Sequence, residues 1–212
     1  MDLKLLNGTK LVNGIKLNKK GLLINNGGCP VHLRQGDMDG ACGPYCIAMA
    51  LLTLGRLERD HIKPVKKIDY RTHQGKFFKT IGTFDPMVIS GTSGGKLLKL
   101  LEAHNLAEGT MISGTDNDKK LFPEITRALQ ENHPVAIDIK SSNDVVDHWT
   151  LAIGFNDTHL FLLDPGYELQ TSKFWNATLS KIPTPTEKDF AYRYANPSDC
   201  SDVQINTMIE VQ

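Results

Sequence analysis

A cysteine at the start of an uncharged segment is the side chain in this sequence that is best placed for nucleophilic chemistry. Cys42 precedes Gly43-Pro44, and proline suits the first turn of a helix because an N–H there would have no helical partner. We therefore predict a helix that begins at Cys42 and ends at Leu54, before Gly55. No residue from Pro44 to Leu54 is charged, so this helix should be buried. A helix N-terminus favours thiolate over thiol, which makes Cys42 a candidate nucleophile.

Cys46 lies one helical turn further along and favours a different interpretation. A lone cysteine inside an apolar helix usually acts as a small buried hydrophobic side chain, and this description suits Cys46 better than Cys42. A catalytic Cys42 additionally requires a base elsewhere in the chain and a donor for the oxyanion.

The candidate base is His148, which stands at the head of an apolar segment that ends at Phe155. This segment predicts a strand, residues 156–158 predict a turn, and residues 159–163 predict a second strand that leads to Asp164. The remaining histidines occupy polar or loop-like settings, and none stands at the head of a strand whose hairpin partner ends at an acid. These histidines are His32, His61, His73, His104, His133 and His159.

The register of this predicted hairpin decides whether the base has a partner. With a three-residue loop, Phe155 lies opposite His159 and Thr150 lies opposite Asp164. His148 is then one diagonal step from Asp164 on the same face, close enough for a hydrogen bond between imidazole and carboxylate. A slip by one residue would place the two side chains on opposite faces. Asp before Pro-Gly is also a common turn sequence, so a purely local role for Asp164 stays open.

Together these motifs resemble the papain-like cysteine peptidases. The resemblance rests on Gln35 upstream of Cys42-Gly43, on the His148-Trp149 strand and on Asp164-Pro165-Gly166. The sequence is most similar to the bacterial branch in which Asp is the third catalytic residue, which includes the leader-processing peptidases of bacteriocin export. The resemblance implies that Cys42 is the nucleophile and that His148 is the general base and acid. It also implies that Asp164 orients His148 and that Gln35 is an oxyanion-hole donor.

The spacing around Gln35 departs from the family pattern. Gln35 lies seven positions before Cys42, one more than is usual, so the resemblance implies a bulged loop through Gly36 and Gly40. The resemblance extends over residues 35–55 and 93–166.

The resemblance and the order of the predicted elements indicate an α+β, papain-like fold. An N-terminal helical half, which contains the buried nucleophile helix, should pack on a C-terminal antiparallel β-sheet, with the cleft between them suited to an extended peptide. Ser93 and the leucines after it predict a helix that ends at His104, and residues 119–132 predict another. Strands are predicted at residues 135–139, 148–155, 159–163, 190–194 and 203–211.

Two other segments carry weaker signals. Residues 1–28 repeat Asn-Gly between short apolar stretches, which predicts two or three small strands in an N-terminal β-rich extension, followed by a peptidase domain over residues 29–212. This extension either packs on the domain or is a removable segment. Residues 56–92 have no steady period and predict a loop region over the cleft. Their basic side chains favour a solvated face over a nucleic-acid site.

Composition limits the possible partners and cofactors. Lys and Arg together number 24, as do Asp and Glu, so no overall charge directs the chain to nucleic acid or to an anionic membrane. No apolar run approaches the roughly 18 residues of a membrane helix, so membrane insertion is not expected. The first residues also lack the pattern of a signal peptide. We therefore expect a protein that is cytoplasmic where it is synthesised, with delivery to a target cell by a signal-less route left open.

The cysteines predict neither a disulfide framework nor a zinc site, because they are sparse and their spacing lacks a compact knuckle. They are Cys29, Cys42, Cys46 and Cys200. We accordingly expect no metal and no other cofactor. The oligomeric state stays open.

These observations predict a thiol hydrolase that cleaves a peptide or isopeptide bond of a peptide or protein substrate through a cysteine acyl-enzyme. Two alternatives stay open. A glutamine deamidase or a transglutaminase-type effector or toxin would use the same acyl-enzyme with another donor or acceptor. An inactive papain-like binding module would be expected to have lost a member of the triad, whereas this sequence retains a candidate for each.

Overall fold

A computed structural model describes most of the chain, and the structural statements below concern the described residues. These are residues 8–36, 40–62, 69–81, 91–102, 104–114, 118–141, 147–185 and 189–212. Residues 1–7 of the predicted extension, 37–39 of the predicted bulged loop, and 63–68 and 82–90 of the predicted loop region lie outside them.

The described residues form helices mainly before residue 131 and strands mainly after it. The helices are α1 (Cys42–Thr53), α2 (Arg59–Ile62), α3 (His73–Ile81), α4 (Gly94–Glu102) and α5 (Asp118–Gln130). The strands are β1 (Lys10–Leu11), β2 (Ile15–Leu17), β3 (Leu23–Asn25), β4 (Gly109–Ser113), β5 (Val135–Ser141), β6 (His148–Phe155), β7 (His159–Leu163), β8 (Ala177–Lys181), β9 (Tyr192–Ala195) and β10 (Cys200–Val211). The predicted mixture of helices and a strand-rich sheet is confirmed.

Helix α1 begins at Cys42, as its sequence predicts, and every residue of it except Tyr45 is buried. Its C-terminus is closed by Gly55, whose φ of 68° is left-handed. The Gly55 N–H donates to the Leu52 carbonyl at 3.1 Å, and the next N–H donates to the Leu51 carbonyl at 2.8 Å. These bonds satisfy carbonyls that the helix itself leaves without partners, as in a Schellman motif.

The sheet closes on itself as an antiparallel barrel of six strands, in the order β5, β6, β7, β8, β9 and β10. Closure follows from two pairings of β6, with β5 and with β7. Two further strands join from outside the barrel, since β1 pairs with β6 and β4 pairs with β10. The closed arrangement brings the start of β6, the end of β7 and the end of β9 to one mouth of the barrel.

Helix α1 lies against β6 and α4, and its N-terminus approaches the barrel closely. A Cβ atom on Gly43 would lie 2.9 Å from Leu97 Cδ1 and 3.3 Å from Trp149 Cδ1, so a side chain there would require its neighbours to move. Because Trp149 directly follows His148, this contact brings the first turn of α1 to the start of β6. Within the described segments, no helix has the length and apolar character needed to span a membrane.

The β6–β7 hairpin differs from the predicted one at its turn. Phe155 lies opposite Leu160, so the predicted pairing of Phe155 with His159 is wrong. The Asn156 side chain accepts the N–H groups of Thr158 and His159, and the Asn156 N–H donates to the His159 carbonyl at 2.9 Å, so His159 lies beside Asn156 rather than Phe155. A β-bulge between Ala152 and Gly154 then shifts the register by one residue.

Beyond this bulge the register is the predicted one. Leu151 lies opposite Leu163, which leaves Thr150 beside Asp164, and the Thr150 hydroxyl donates to the Leu163 carbonyl at 3.3 Å. The carbonyl of the bulged Ile153 accepts the N–H of Val12 at 2.8 Å, next to β1. The predicted register therefore holds at His148 and Asp164, although it does not hold at the turn.

The predicted N-terminal strands form within the described part of residues 1–28. β2 and β3 pair as a hairpin, while β1 lies on β6. Val12 and Leu23 are buried in the same hydrophobic core as α1. The side-chain amide of Asn25 donates to the Leu52 carbonyl at 2.7 Å, which ties this segment to the end of α1. The domain boundary at residue 28 stays a prediction.

Several elements were not predicted from the sequence. The segment 56–92, interpreted as loop, contains α2 and α3, and α3 is capped by Thr72, whose hydroxyl oxygen accepts the Gly75 N–H at 3.0 Å. β4 and β8 were also missed. Both have five residues, too few for a clear hydrophobic period, and β4 exposes most of its side chains. Helices α4 and α5 each end two residues before the predicted position.

Candidate active site

His148 and Asp164, predicted to be diagonal neighbours, are hydrogen-bonded. His148 Nε2 lies 2.7 Å from Asp164 Oδ2. His148 is the first residue of β6, and Asp164 directly follows β7, so the hairpin holds both. Asp164 is fully buried, whereas 30% of the His148 side chain is exposed. The imidazole therefore has one edge fixed by a buried carboxylate and part of its surface exposed.

The Cys42 thiol is the second hydrogen-bond partner of His148. Since Nε2 faces Asp164, Nδ1 is the ring nitrogen left for the sulfur. Burial by itself would lower the pKa of His148, but the hydrogen bonds to Asp164 and Cys42 and the attraction of both groups raise it to about 10. The arrangement therefore favours the protonated form of the imidazole.

The Asp164 carboxylate is held by two further donors. The Gly166 N–H donates to Oδ1 at 2.7 Å, and the Tyr194 hydroxyl, from β9, donates to Oδ2. Burial, and then the charge of Asp164 and the hydrogen bond to it, raise the pKa of Tyr194 well above its usual value. Tyr194 consequently stays protonated and acts as a donor to the carboxylate.

The backbone of Asp164 is fixed as firmly as its side chain. Asn176 accepts the Asp164 N–H at 2.7 Å, and its amide donates to the Asp164 carbonyl at 2.8 Å and to the Tyr167 carbonyl at 2.9 Å. His32 Nε2 lies 3.1 Å from the same Asp164 carbonyl, and burial lowers the pKa of His32, which favours its neutral form. The turn after β7 is therefore constrained from both halves of the chain.

Gln35 lies on the same side of the barrel mouth. Its N–H donates to the Pro165 carbonyl at 2.8 Å, and the residue borders a cavity that His148 also borders. The Gln35 Oε1 atom is buried and has no hydrogen-bond partner among the described residues. The structure thus brings Gln35 to the neighbourhood of His148.

Residues 30–201 match the Peptidase_C39 like family. The chain belongs to this family. Membership in the Peptidase_C39 like family confirms the predicted relationship to papain-like cysteine peptidases and supports a cysteine-peptidase type of hydrolase. No curated protein matches the sequence.

Two solved structures are similar to this Peptidase_C39 like chain at low identity. One is described as a C39-like peptidase from Bacillus anthracis, with 12% identity, a TM-score of 0.47, and coverage of 92% of this chain and 98% of that chain. The other is UfSP from C. elegans, with 18% identity, a TM-score of 0.48, and coverage of 100% of this chain and 35% of that chain. This chain therefore spans about a third of the UfSP chain.

The other thiol of α1, that of Cys46, lies in the core of this Peptidase_C39 like protein. Cys46 is completely buried. Burial raises the pKa of Cys46 well above its usual value, and the charges of Cys42 and Asp164 raise it further. Cys46 therefore stays a neutral thiol within the core, as expected from its position inside the helix.

We expect iodoacetamide near neutral pH to label Cys42 at least about tenfold faster than Cys46, because the thiolate is the reacting form and only Cys42 faces an imidazolium. Mass spectrometry of proteolytic fragments measures each thiol separately. The unfolded chain is the control, since both thiols should react at similar rates there. Comparable labelling of the two thiols in the folded protein would exclude Cys42 as the activated cysteine.

Tyr194 and Asn176 are the residues around Asp164 that sequence reasoning missed. Tyr194 belongs to a strand that was predicted from its alternation, but alternation does not reveal which partner an inward hydroxyl meets. Asn176 precedes the unpredicted β8. A polar residue at the edge of a buried strand is the only signal that pointed to either residue.

We expect Tyr194→Phe to lower the free energy of unfolding by about 1–3 kcal/mol, because it removes a hydrogen bond to a buried carboxylate. It should also raise the pKa of His148, since Asp164 Oδ2 would no longer share its charge with the hydroxyl. The measurements are thermal unfolding and the pH dependence of kcat/KM, whose basic limb should move to higher pH. Tyr192→Phe, in the same strand, is the control. An unchanged profile in Tyr194→Phe would show that the hydroxyl does not act through His148.

A second buried carboxyl lies near the site. Asp138 lies opposite Trp149 in the β5–β6 pairing, and its Oδ1 atom has no hydrogen-bond partner among the described residues. Burial and the charge of Asp147 raise the pKa of Asp138 to about 7, against the opposing effects of an Asn206 hydrogen bond and of His148. Asp138 is therefore partly protonated at neutral pH. The sequence analysis had assigned it only to a strand.

The acidic and histidine side chains at the end of α5 form an ion-pair cluster. Arg127 donates to Glu131 and to the buried Glu210, both at 2.7 Å, and His133 Nδ1 lies 2.7 Å from Glu210 Oε1. These three acidic and histidine groups have the proximity of metal ligands, but the guanidinium already supplies the positive charge between the carboxylates. The donor set therefore fits a tether between α5 and β10 better than a cation site.

Proposed function

We propose that this protein is a cysteine peptidase in which Cys42, His148 and Asp164 form the catalytic triad. The observation that carries the proposal is the position of His148, which is hydrogen-bonded to the Cys42 thiol on one side and to the buried Asp164 carboxylate at 2.7 Å on the other. A nucleophile, a base within hydrogen-bond reach and a third group that orients the base are the parts that covalent acyl transfer requires. Membership in a peptidase-like family supports the same conclusion.

The first half of the reaction follows from the charge state of the site. The Cys42 thiolate attacks the carbonyl carbon of the scissile bond, and a carbon–sulfur bond forms as negative charge moves to the carbonyl oxygen. The His148 imidazolium then donates its proton to the leaving amine as the carbon–nitrogen bond breaks, which leaves an acyl-enzyme and a neutral imidazole. Asp164 keeps the ring aimed during this change of charge.

The second half restores the enzyme. A water molecule gives a proton to neutral His148 and attacks the acyl carbon, and the carbon–sulfur bond breaks to release the carboxylic acid and the thiolate. Gln35 is the proposed side-chain donor to the oxyanion, together with the backbone N–H of Cys42 at the helix N-terminus. The position of Gln35 beside the cavity that His148 borders supports this role.

A digestion experiment tests the proposed function. Peptides derived from a cell lysate are incubated with the purified protein and with Cys42→Ala, and new N-termini are labelled and identified by mass spectrometry. We expect new N-termini with the wild-type protein and none with Cys42→Ala. A mass increase of about one dalton on glutamine without new N-termini would instead indicate a deamidase that uses the same thiol. Addition of amines to glutamine would indicate a transglutaminase.

A further inference from the structure

A cavity of about 320 Å³ opens beside His148 at the barrel mouth, and the proposed chemistry involves only His148 and Gln35 of the residues that border it. Ile139 and Val203 contribute apolar surface to it, and Gln35 borders it from the helical half of the chain. Ile139 lies directly opposite His148 in the β5–β6 pairing, so their side chains point to the same face of the sheet. The cavity thus begins at the candidate base and extends into the mouth of the barrel.

The outer wall of this cavity is polar. Ser141 and Ser201 contribute hydroxyl groups, and the β9–β10 turn contributes Asn196 and Asp199. That turn has a defined shape, because Asn196 Oδ1 accepts the Asp199 N–H at 2.8 Å and the Asn196 N–H donates to the Asp199 carbonyl at 3.0 Å. Asp199 is exposed at this wall. The cavity is therefore bordered by buried apolar residues and by an exposed aspartate.

The charges that line the cavity are unbalanced. Of the described residues that border it, Asp199 is the acidic residue and His148 the basic one. The charge of His148 is matched by Asp164 at 2.7 Å, whereas Asp199 has no ion-pair partner among the described residues. A larger cavity among the described residues, about 680 Å³, lies elsewhere, between Arg56, Glu102 and Gln212.

We propose that the cavity at the barrel mouth is a substrate subsite that binds a lysine or arginine side chain close to the scissile bond, with Asp199 as the residue that selects it. The proposal rests on the proposed peptidase function. A side chain with an apolar stem and a cationic end matches the apolar surface of Ile139 and Val203 and the carboxylate beyond them. A volume near 300 Å³ is enough for one such side chain.

The test is a set of peptides that vary one position at a time around a cleavage site identified in the digestion experiment. For one position near the scissile bond, we expect kcat/KM to be about tenfold higher with lysine or arginine than with glutamate. Asp199→Asn should reduce this ratio toward one, and Asp199→Lys should reverse it in favour of glutamate. Asp157→Asn, an exposed acid in the β6–β7 turn, is the matched control and should keep the wild-type ratio.

The outcomes separate this proposal from the peptidase function. Turnover without preference for a basic residue, or a preference that both Asp199 variants retain, would overturn the subsite and leave the peptidase intact. If the digestion experiment gives no cleavage, the peptidase proposal fails, and the subsite is then tested by the dissociation constants of Cys42→Ala for a lysine-containing peptide and for its glutamate counterpart. Tighter binding of the lysine peptide, lost in a Cys42→Ala, Asp199→Asn double variant, would support the subsite. Equal binding of the lysine and glutamate peptides would refute it.

Discussion

Replacing His148 with alanine is expected to lower kcat/KM by about 10³- to 10⁴-fold, because the reaction loses both its proton donor to the leaving amine and its proton acceptor from water. The same substitution should slow alkylation of Cys42 near neutral pH, since the thiolate loses its imidazolium partner. Activity on a peptide substrate and the iodoacetamide rate measure the two effects independently. A decrease in both is expected only if the imidazole contacts the sulfur.

His159→Ala is the matched control for this experiment. His159 lies at the other end of the same hairpin, where its ring bonds the neighbouring Thr158 hydroxyl, so its removal perturbs the hairpin without touching the candidate site. His159→Ala should keep nearly full activity. Turnover that survives in His148→Ala and disappears in a variant of another histidine would overturn the assignment of the base.

The pH dependence of the free energy of unfolding should also reveal the interaction of His148 with Asp164 and Cys42. The pKa of His148 rises from an ordinary 6.5 to about 10 in the folded chain, so the charged imidazole stabilises the fold. This stabilisation is complete below about pH 6.5 and disappears as the pH rises through about 10, because the folded state then loses the proton that it holds more tightly than the unfolded state. The free energy of unfolding of the wild type, measured relative to that of His148→Ala, should therefore decrease as the pH rises over this range.

Asp164→Ala is expected to reduce kcat/KM by about 10²- to 10⁴-fold while leaving Cys42 open to alkylation, because nucleophile and base remain but the base loses its orientation. Asp164→Asn should retain more activity, since the amide oxygen can still accept a hydrogen bond from the imidazole. The measurement is kcat/KM for both variants on one peptide. Wild-type activity in Asp164→Ala would assign Asp164 to the turn alone.

Thermal unfolding is needed beside these rates, because the Asp164 carboxylate also satisfies buried donors. Its removal leaves the Tyr194 hydroxyl and the Gly166 N–H without their partner, and each unsatisfied buried group costs about 1–3 kcal/mol. Asp157→Ala, in the turn of the same hairpin, is the control and should change neither activity nor stability substantially. Rates are compared only at temperatures where both Asp164 variants are folded.

The position of Cys42 could be predicted from the sequence because its determinants are local. A proline on the first turn, an uncharged segment and a glycine after it define both ends and the burial of α1 within fourteen consecutive positions, residues 42–55. The strands that carry His148 and Asp164 were likewise predicted, since apolar segments separated by turn residues have a clear pattern. Helix α3 and strands β4 and β8 were missed because their signals are short or depend on contacts with other segments.

The sequence by itself determined which residues could form a nucleophile, a base and an orienting acid, whereas the tertiary structure decided how they meet. The predicted turn of the β6–β7 hairpin was wrong by one residue, and the bulge at Ile153 restored the register before His148. That bulge lies where the N-terminal residue Val12 bonds the Ile153 carbonyl, a contact between segments about 140 positions apart.

The hydrogen bonds that Tyr194 and Asn176 make to Asp164 also depend on contacts between distant segments. Asn176 reaches the Asp164 backbone because β8 pairs with β7, and Tyr194 reaches the carboxylate from β9, the next strand of the barrel. Local propensity and hydrophobic period report on neighbours within a few residues, and they contain no information on which distant strand completes a barrel. The candidate residues could therefore be predicted from the sequence, whereas the hydrogen bonds from Tyr194 and Asn176 depend on which distant strands pair in the sheet.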